Sequence, residues 1–312
     1  MAHNHQEFES NRGLIIALSL TATFMVVELV GGILSNSMSL IGDAGHMLVD
    51  VLSLGISLFA LNLAKRPATT SRTFGFHRAE ILAALANGTI LILVSVFVFY
   101  ESVRRLQSPP EVKSTLMIII AVIGLAANLA SILLLRRERH ANLNIRGAFL
   151  HIAGDAISSI GVIVAGIVVS VTGFRAADPI MAIIIGVIIL VGAVQLVGES
   201  TQILLEAVPK SMNMDKVIAS IKGVKGVQDI HDFHLWTITS GIYALSAHIM
   251  LEDQQLSHAR EIINSINDEL KAKYGITHTT LQTECEKCDS CSQGLVCQMA
   301  RIAHADEEDG DD

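Results

Sequence analysis

The stretches 43-DAGHMLVDVLS-53 and 149-FLHIAGDAISS-159 share one pattern, in which a His is followed four residues later by an Asp. Both stretches lie in segments that are apolar enough to form membrane-spanning helices. A spacing of four places the His and the Asp one helical turn apart on the same face. The sequence therefore predicts one helix face with His46 and Asp50 and a second with His151 and Asp155.

Four ionisable side chains at membrane depth need a reason, because each costs about 2.5–3.5 kcal/mol at a helix centre even on a lenient insertion scale. Brought together, the two faces offer two imidazoles and two carboxylates, which is a complete tetrahedral ligand set for a divalent metal. The alternative is a neutral His–Asp pair on each helix that only ties helices together. The same constellation occurs twice, and this repetition favours the metal site.

The composition is that of a polytopic membrane protein: 312 residues, 51% of them hydrophobic, with a mean hydropathy of +0.52. The net charge of −8 comes mostly from six acids among the last seven residues. The rest of the chain is close to neutral and has no basic face, so we expect no nucleic-acid partner.

Six apolar segments of about 20 or more residues predict an all-α transmembrane bundle within residues 13–208, after a short tail of residues 1–12. Asp178-Pro179 is typical of a helix start, with Asp as the N-cap and Pro at the first helical position. The spans are residues 13–34, 38–63, 80–100, 114–135, 147–171 and 179–205.

The orientation follows from the short loops, where nine Lys and Arg residues lie on one side and four on the other. The positive-inside rule then predicts that both termini are cytoplasmic. The second and fifth spans run in opposite directions and bring their ligands to similar depth. We therefore expect His46 level with Asp155 and Asp50 level with His151, near the midplane, where alternating-access transporters bind their substrates.

Residues 209–284 read as a small cytoplasmic α+β domain with the order α-β-β-α-β, as in a ferredoxin-like sandwich. Its predicted elements are residues 214–221, 226–238, 242–251, 256–274 and 276–284. His231 and His234 are three apart on a strand, so without a bulge they face opposite sides. His234 and His248 lie on neighbouring strands and are predicted to form a cross-strand pair.

The tail of residues 285–312 begins with Cys285, Cys288 and Cys291, which form C-x-x-C-x-x-C, a metal-binding spacing. The cysteines either hold a zinc ion of their own or reach back to His234 and His248. The alternative is a reduced tail without a ligand. An acidic segment ends the chain.

The chain resembles the cation diffusion facilitators, and in particular their zinc-transporting type, over about residues 12–284. The motifs that carry the resemblance are SxSLIGDAGHMLVD, RTFGFHRAEILAALANG, HIAGDAISSIGVIVAG, DPIMAIIIG and HDFHLWTITSGIYALSAHI. The resemblance implies a homodimer, a multi-pass protein of the cell membrane, and export of a divalent cation from the cytoplasm by proton antiport. It implies Zn²⁺ as substrate, and we expect Zn²⁺ also as a structural or regulatory ion.

The same resemblance extends the list of site residues. It implies that Glu284 completes the cytoplasmic site and that His77 forms an entry site, for which His278 is the expected partner. Asp43 lies three residues before His46 on the same stripe. It is either a proton or exit relay or an ordinary carboxylate near a helix start.

Three functions compete at this point. The favoured one is a secondary transporter of divalent metal. A metal sensor, whose cytoplasmic domain binds zinc and whose membrane part is an anchor, leaves the four matched intramembrane ligands unexplained. An intramembrane metalloprotease would need a motif such as H-E-x-x-H, which the sequence lacks.

Overall fold

The structure is a computed structural model that describes residue 19 and residues 22–64, 66–135 and 143–285. The chain divides into two compact units, Met1–Ser200 and Thr201–Asp312, and each is described by itself.

The described residues of the first unit fold as helices that correspond to the six predicted spans. Four of them, including α4 over Ser114–Leu133 and α5 over His151–Thr172, are long and apolar enough to cross a membrane. The prediction of membrane spans is therefore confirmed for α3 to α6. The helices are α1 (Ala22–Ser35), α2 (Met38–Ala64), α3 (Ala79–Gln107), α4 (Ser114–Leu135), α5 (Leu143–Thr172) and α6 (Ala177–Leu204).

A tight turn at Ser35-Asn36-Ser37 joins α1 to α2. Asn36 adopts the left-handed conformation with φ 57°, which Asn tolerates better than most residues. The N–H of Ser37 donates to the carbonyl of Gly32 at 3.0 Å and closes the turn. A Cβ on Gly32 would lie 2.9 Å from the Ile41 side chain, so glycine permits the close approach of the two helices.

The helices of this unit pack through small apolar clusters. One cluster joins Phe24 of α1, Leu40 of α2, Met117 of α4, Val162 of α5 and Ile185 of α6. α2 packs on α3, α4 packs on α5, and α2 also contacts α5. This last contact brings together the two helices that carry the His-x-x-x-Asp pattern.

The second unit has the predicted order α-β-β-α-β. Its elements are α7 (Met214–Lys222), β1 (Val227–Thr239), β2 (Ile242–Leu251), α8 (Leu256–Tyr274) and β3 (His278–Glu284). The sheet order is β1-β2-β3, with β1 antiparallel and β3 parallel to β2. Apolar residues of both helices and of β1 and β2 form one core.

The ends of the two helices follow their local sequence. The side chain of Asn213 accepts a hydrogen bond from the N–H of Lys216 at 3.1 Å and caps α7. α8 ends at Gly275, whose φ of 66° suits glycine, and whose N–H reaches the carbonyls of Leu270 and Lys271. β3 begins at His278, two residues later than predicted.

Candidate metal sites

The first candidate site lies between α2 and α5. Nε2 of His46 is 3.4 Å from Oδ2 of Asp50 on its own helix and 3.9 Å from Oδ1 of Asp155 on the other. Nε2 of His151 is 3.2 Å from Oδ2 of Asp50 and 3.8 Å from Oδ2 of Asp155. Each imidazole therefore lies near both carboxylates. His46 is level with Asp155 and Asp50 is level with His151, as predicted for antiparallel helices.

These distances can be compared with the spacing of neighbouring ligand atoms around a tetrahedral metal ion. Metal–ligand bonds of about 2.05 Å give a tetrahedron with edges of about 3.3 Å between ligand atoms. The four N–O distances, 3.2 to 3.9 Å, lie close to that value. The rings of His46 and His151 stand edge-on with their centroids 5.5 Å apart.

The hydrogen bonding of the cluster also leaves a donor atom available for a metal ion. Oδ2 of Asp155 is buried and accepts no hydrogen bond from the described residues. His46, His151 and Asp155 each place a donor atom within 4.8 Å of the others. Only 3% of the Asp155 side chain is exposed, against 41% of His151. The cluster is therefore accessible from the His151 side and closed around Asp155.

Two further carboxylates are buried close to this cluster. Asp43 of α2 and Glu28 of α1 are each only 1% exposed. Asp43 interacts electrostatically with Glu28 and Asp155 and accepts a hydrogen bond from the Ser158 side chain of α5. The sequence pattern singles out Asp43 and assigns no role to Glu28. The structure groups the two.

The second candidate site lies on the sheet of the second unit. Nε2 of His231 is 3.1 Å from Oε2 of Glu284, and Nδ1 of His248 is 2.9 Å from Oε1 of the same carboxylate. The three residues offer ligand atoms within 4.8 Å of one another. Those of His231 and His248 are buried without a hydrogen bond to the described residues. This donor set fits a borderline metal such as Zn²⁺.

The strand register corrects the predicted pair of His234 and His248. It places His231 opposite His248 and places His234 opposite Ser246. The cause is an irregularity in β1 between His231 and His234, where Asp232 adopts φ 46°. The bulge turns the His231 side chain toward the neighbouring strands, which simple alternation along a strand does not anticipate.

His234 remains connected to this cluster through Asp232. Nε2 of His234 lies 3.1 Å from Oδ1 of Asp232, and Nε2 of His248 lies 3.7 Å from Oδ2. The carboxylate thus stands between the two imidazoles. Carboxylates in this position orient metal-binding histidines by accepting from the ring nitrogen that does not bind the metal.

The other predicted site residues are spread along the chain. His77 lies in the connection between α2 and α3 and His278 begins β3, so the two belong to different units. Cys285 directly follows β3 and is exposed. Cys288 and Cys291 lie outside the described residues. The entry site and the cysteine site therefore stay predictions.

Comparison with known proteins finds similarity over nearly the whole chain. Residues 14–205 match the family profile of the cation efflux transmembrane domain, and residues 209–286 match that of the cation efflux protein cytoplasmic domain. The cadmium, cobalt and zinc/H(+)-K(+) antiporter of Bacillus subtilis (strain 168) is 41% identical over 96% of both chains.

Two further relatives are similar over more than nine tenths of both chains. The metal cation efflux system protein CzcD of Cupriavidus metallidurans is 40% identical, over 92% of this chain and 91% of its own length. The zinc transporter ZitB of Escherichia coli (strain K12) is 34% identical, over 92% of this chain and 94% of its own length.

Proposed function

This chain belongs to the cation efflux, or cation diffusion facilitator, family, and we propose that it is a secondary active transporter that exports divalent metal ions, above all Zn²⁺, from the cytoplasm in exchange for protons. The observation that carries this proposal is the cluster of His46, Asp50, His151 and Asp155, in which each imidazole lies within 4 Å of both carboxylates. We propose that these four residues bind the transported ion.

The charge of the four ligands suits a divalent ion inside a membrane. Two neutral imidazoles and two carboxylates carry a charge of −2, so a bound Zn²⁺ leaves a neutral complex in a medium that penalises net charge. Mixed nitrogen and oxygen donors also suit Zn²⁺ better than Mg²⁺ or Mn²⁺, which prefer oxygen. Cd²⁺ and Co²⁺ can bind the same types of donor atom, and the name of the Bacillus subtilis relative indicates that this relative transports them.

Exchange for protons follows from the same ligands. Zn²⁺ binds only neutral imidazole and ionised carboxylate, so protons and metal compete for the same atoms. On the acidic side of the membrane, protons displace the metal. On the cytoplasmic side, protons leave and the metal enters. One site thus carries Zn²⁺ outward and H⁺ inward without a second transport path.

Asp43 is proposed as a relay for protons or for the leaving ion, together with Glu28. Both carboxylates are buried, and Asp43 is linked to α5 through Ser158, three residues beyond Asp155. Buried ionisable groups in a membrane segment mark ion and proton pathways.

The cytoplasmic cluster is proposed to bind a regulatory Zn²⁺. His231, His248 and Glu284 supply three donors, which is one fewer than a structural zinc site uses. Cys285 directly follows Glu284, so it or the cysteines at 288 and 291 are candidates for the fourth ligand. A metal ion that binds one conformation of the domain more tightly increases the population of that conformation. We propose that this change alters the rate of transport.

The remaining architecture is proposed from the family and from the sequence. It comprises six membrane spans within residues 13–208, a ferredoxin-like domain over residues 209–284, a homodimer in the cell membrane, and both termini in the cytoplasm. We also propose that His77 and His278 meet at an entry site. The positive-inside distribution of Lys and Arg supports the orientation.

Metal uptake by proteoliposomes under an imposed pH gradient tests the proposal. We expect Zn²⁺ to accumulate inside the vesicles when the pH gradient is present, and we expect Cd²⁺ and Co²⁺ to compete with it. Protons should leave the vesicles as Zn²⁺ enters. A metal sensor with a membrane anchor would bind Zn²⁺ and show no flux. Zn²⁺ flux that is indifferent to the pH gradient would contradict the antiport.

A further inference from the structure

A carboxylate outside both metal clusters joins α6 to the start of α2. Asp178 lies in the first turn of α6 and is completely buried. Its Oδ2 accepts a hydrogen bond from the N–H of Met38 at 2.6 Å. Its Oδ1 accepts from the hydroxyls of Ser37 and Ser39, both at 2.6 Å, and from the N–H of Ser39 at 3.2 Å.

This arrangement differs from the helix start that the sequence predicts. Asp178 precedes Pro179 and would ordinarily cap its own helix, but its side chain caps α2 instead. The first N–H groups of a helix have no partner inside the helix and stand at the positive end of the helix dipole. A buried carboxylate is a strong partner for them because its hydrogen bonds are charge-assisted.

The joint is buried, and each carboxylate oxygen has at least one donor. Four donors reach the two carboxylate oxygens, and Met38, Val98 and Ala182 of α2, α3 and α6 form an apolar cluster beside it. Such a group is arranged to hold two helices together, because both of its oxygens accept hydrogen bonds from the start of α2 and from the preceding Ser37.

The α1–α2 turn is held from other directions as well. Nη1 of Arg105 on α3 donates to the carbonyl of Asn36 at 2.8 Å. The N–H of Lys113 donates to the carbonyl of Ser35 at 3.0 Å, and the side-chain amide of Asn36 donates to the carbonyl of Glu111 at 3.2 Å. The start of α2 is therefore fixed to α3, to the α3–α4 connection and to α6.

α2 also carries two of the four transport ligands, His46 and Asp50, which lie about two and three turns beyond the joint. We propose that Asp178 is a positioning residue of the transport site, which pins α2 to α6 throughout the transport cycle and so holds His46 and Asp50 at a fixed depth. Opening and closing of the site then takes place through motion at the other ends of these helices.

Hydrogen–deuterium exchange of the full chain in lipid nanodiscs tests whether the joint persists. We expect the amides of Met38 and Ser39 to exchange at the same rate, within about twofold, with and without Zn²⁺ at one pH. In Asp178→Asn both should exchange at least about tenfold faster, because a charge-assisted hydrogen bond is lost. Two results would overturn the proposal. In the first, the wild-type amides exchange tenfold faster in one metal state than in the other. In the second, Asp178→Asn leaves the exchange rates of both amides unchanged.

Asparagine is a sharp probe because each carboxylate oxygen accepts one backbone N–H, from Met38 or from Ser39. Either orientation of the amide places its NH₂ against one of these donors. Ser39→Ala is a milder variant, since it removes one hydroxyl donor and keeps both backbone bonds. Its effects should lie between those of the wild type and Asp178→Asn.

Zn²⁺ uptake separates positioning from mere stabilisation. We expect Asp178→Asn to raise the KM of the folded transporter about tenfold or more, since displaced ligands bind less well. Glu111→Gln, at an 83% exposed side chain on the same end of the bundle, should leave KM unchanged. An unchanged KM in folded Asp178→Asn, with only its yield reduced, would show a structural cap and no more.

The hydrogen–deuterium exchange measurement and the KM measurement test the proposal independently of each other. This inference rests on the proposed transport only for the KM measurement, while the exchange of the wild-type amides is independent of flux. If Asp178→Asn does not fold, wild-type exchange and the Ser39→Ala variant still decide the matter. A wild-type chain without Zn²⁺ flux would contradict the proposed function and leave the exchange test intact.

Discussion

Replacing Asp155 with Asn should raise the apparent KM for Zn²⁺ about a hundredfold. Asp155 is 3% exposed and lies 3.9 Å from His46 and 3.8 Å from His151, so it faces both imidazoles of the candidate site. The amide has nearly the same shape as the carboxylate and lacks its charge. The bound metal complex then changes from neutral to a net charge of +1.

The magnitude follows from the cost of that charge. An unpaired charge at the centre of a membrane helix costs about 2.5–3.5 kcal/mol on the insertion scale. With about 1.4 kcal/mol for each factor of ten, this corresponds to roughly a hundredfold loss of affinity. Asp155→Ala also removes the ligand oxygen and should reduce Zn²⁺ flux to background.

The assay is initial-rate Zn²⁺ uptake into proteoliposomes, with the amount of folded protein fixed by size-exclusion chromatography. Glu111→Gln makes the same carboxylate-to-amide change at an exposed side chain and should behave as the wild type. If folded Asp155→Asn transports Zn²⁺ with the wild-type KM, Asp155 does not bind the transported ion and the four-ligand site is wrong.

Three further predictions address selectivity, regulation and packing. His46→Asp should shift competition uptake toward Cd²⁺ and Mn²⁺, because a hard oxygen replaces a borderline nitrogen; an unchanged metal ranking would place selectivity elsewhere. Glu284→Gln should weaken Zn²⁺ binding to the cytoplasmic cluster about tenfold or more in isothermal titration, yet leave proton-coupled flux; complete loss of flux in the folded protein would make this site obligatory. Gly124→Ala should lower the free energy of unfolding by about 1–3 kcal/mol, because a Cβ would lie 2.7 Å from Glu28. Gly192→Ala, with open space around it, should not, and equal thermal unfolding of the two variants would refute the packing argument.

The cluster of His46, Asp50, His151 and Asp155 could be predicted from the sequence because it depends on residue spacing within single helices. A spacing of four fixes His46 relative to Asp50 within one helix, and the same holds for His151 and Asp155. The direction of each span then sets which residues are level across the two helices. The observed contacts of His46 with Asp155 and of His151 with Asp50 follow from those two facts.

The cytoplasmic cluster could be derived only in part. The bounds of β2 and α8 are those that alternation and helical spacing predict. The role of His231 was missed because it depends on the bulge at Asp232, and a left-handed Asp leaves no trace in the alternation of apolar residues. From the spacing alone, His231 and His234 could share a site only if β1 contained a bulge.

Long-range partners were the other limit. Asp178 before Pro179 predicts a helix that starts at Pro179, and α6 does start close by, at Ala177, with Asp178 inside its first turn. The residues that Asp178 actually caps, Met38 and Ser39, lie some 140 positions earlier in the chain. A local capping pattern does not show that the residue caps a helix other than its own.

A Zn²⁺-loaded structure of the full chain, with an anomalous difference map at the zinc absorption edge, tests the central claim most directly. The account predicts a peak between α2 and α5, about 2.0–2.2 Å from donor atoms of His46, Asp50, His151 and Asp155. The absence of a peak at that place, in a protein preparation that transports Zn²⁺ into proteoliposomes, would contradict it.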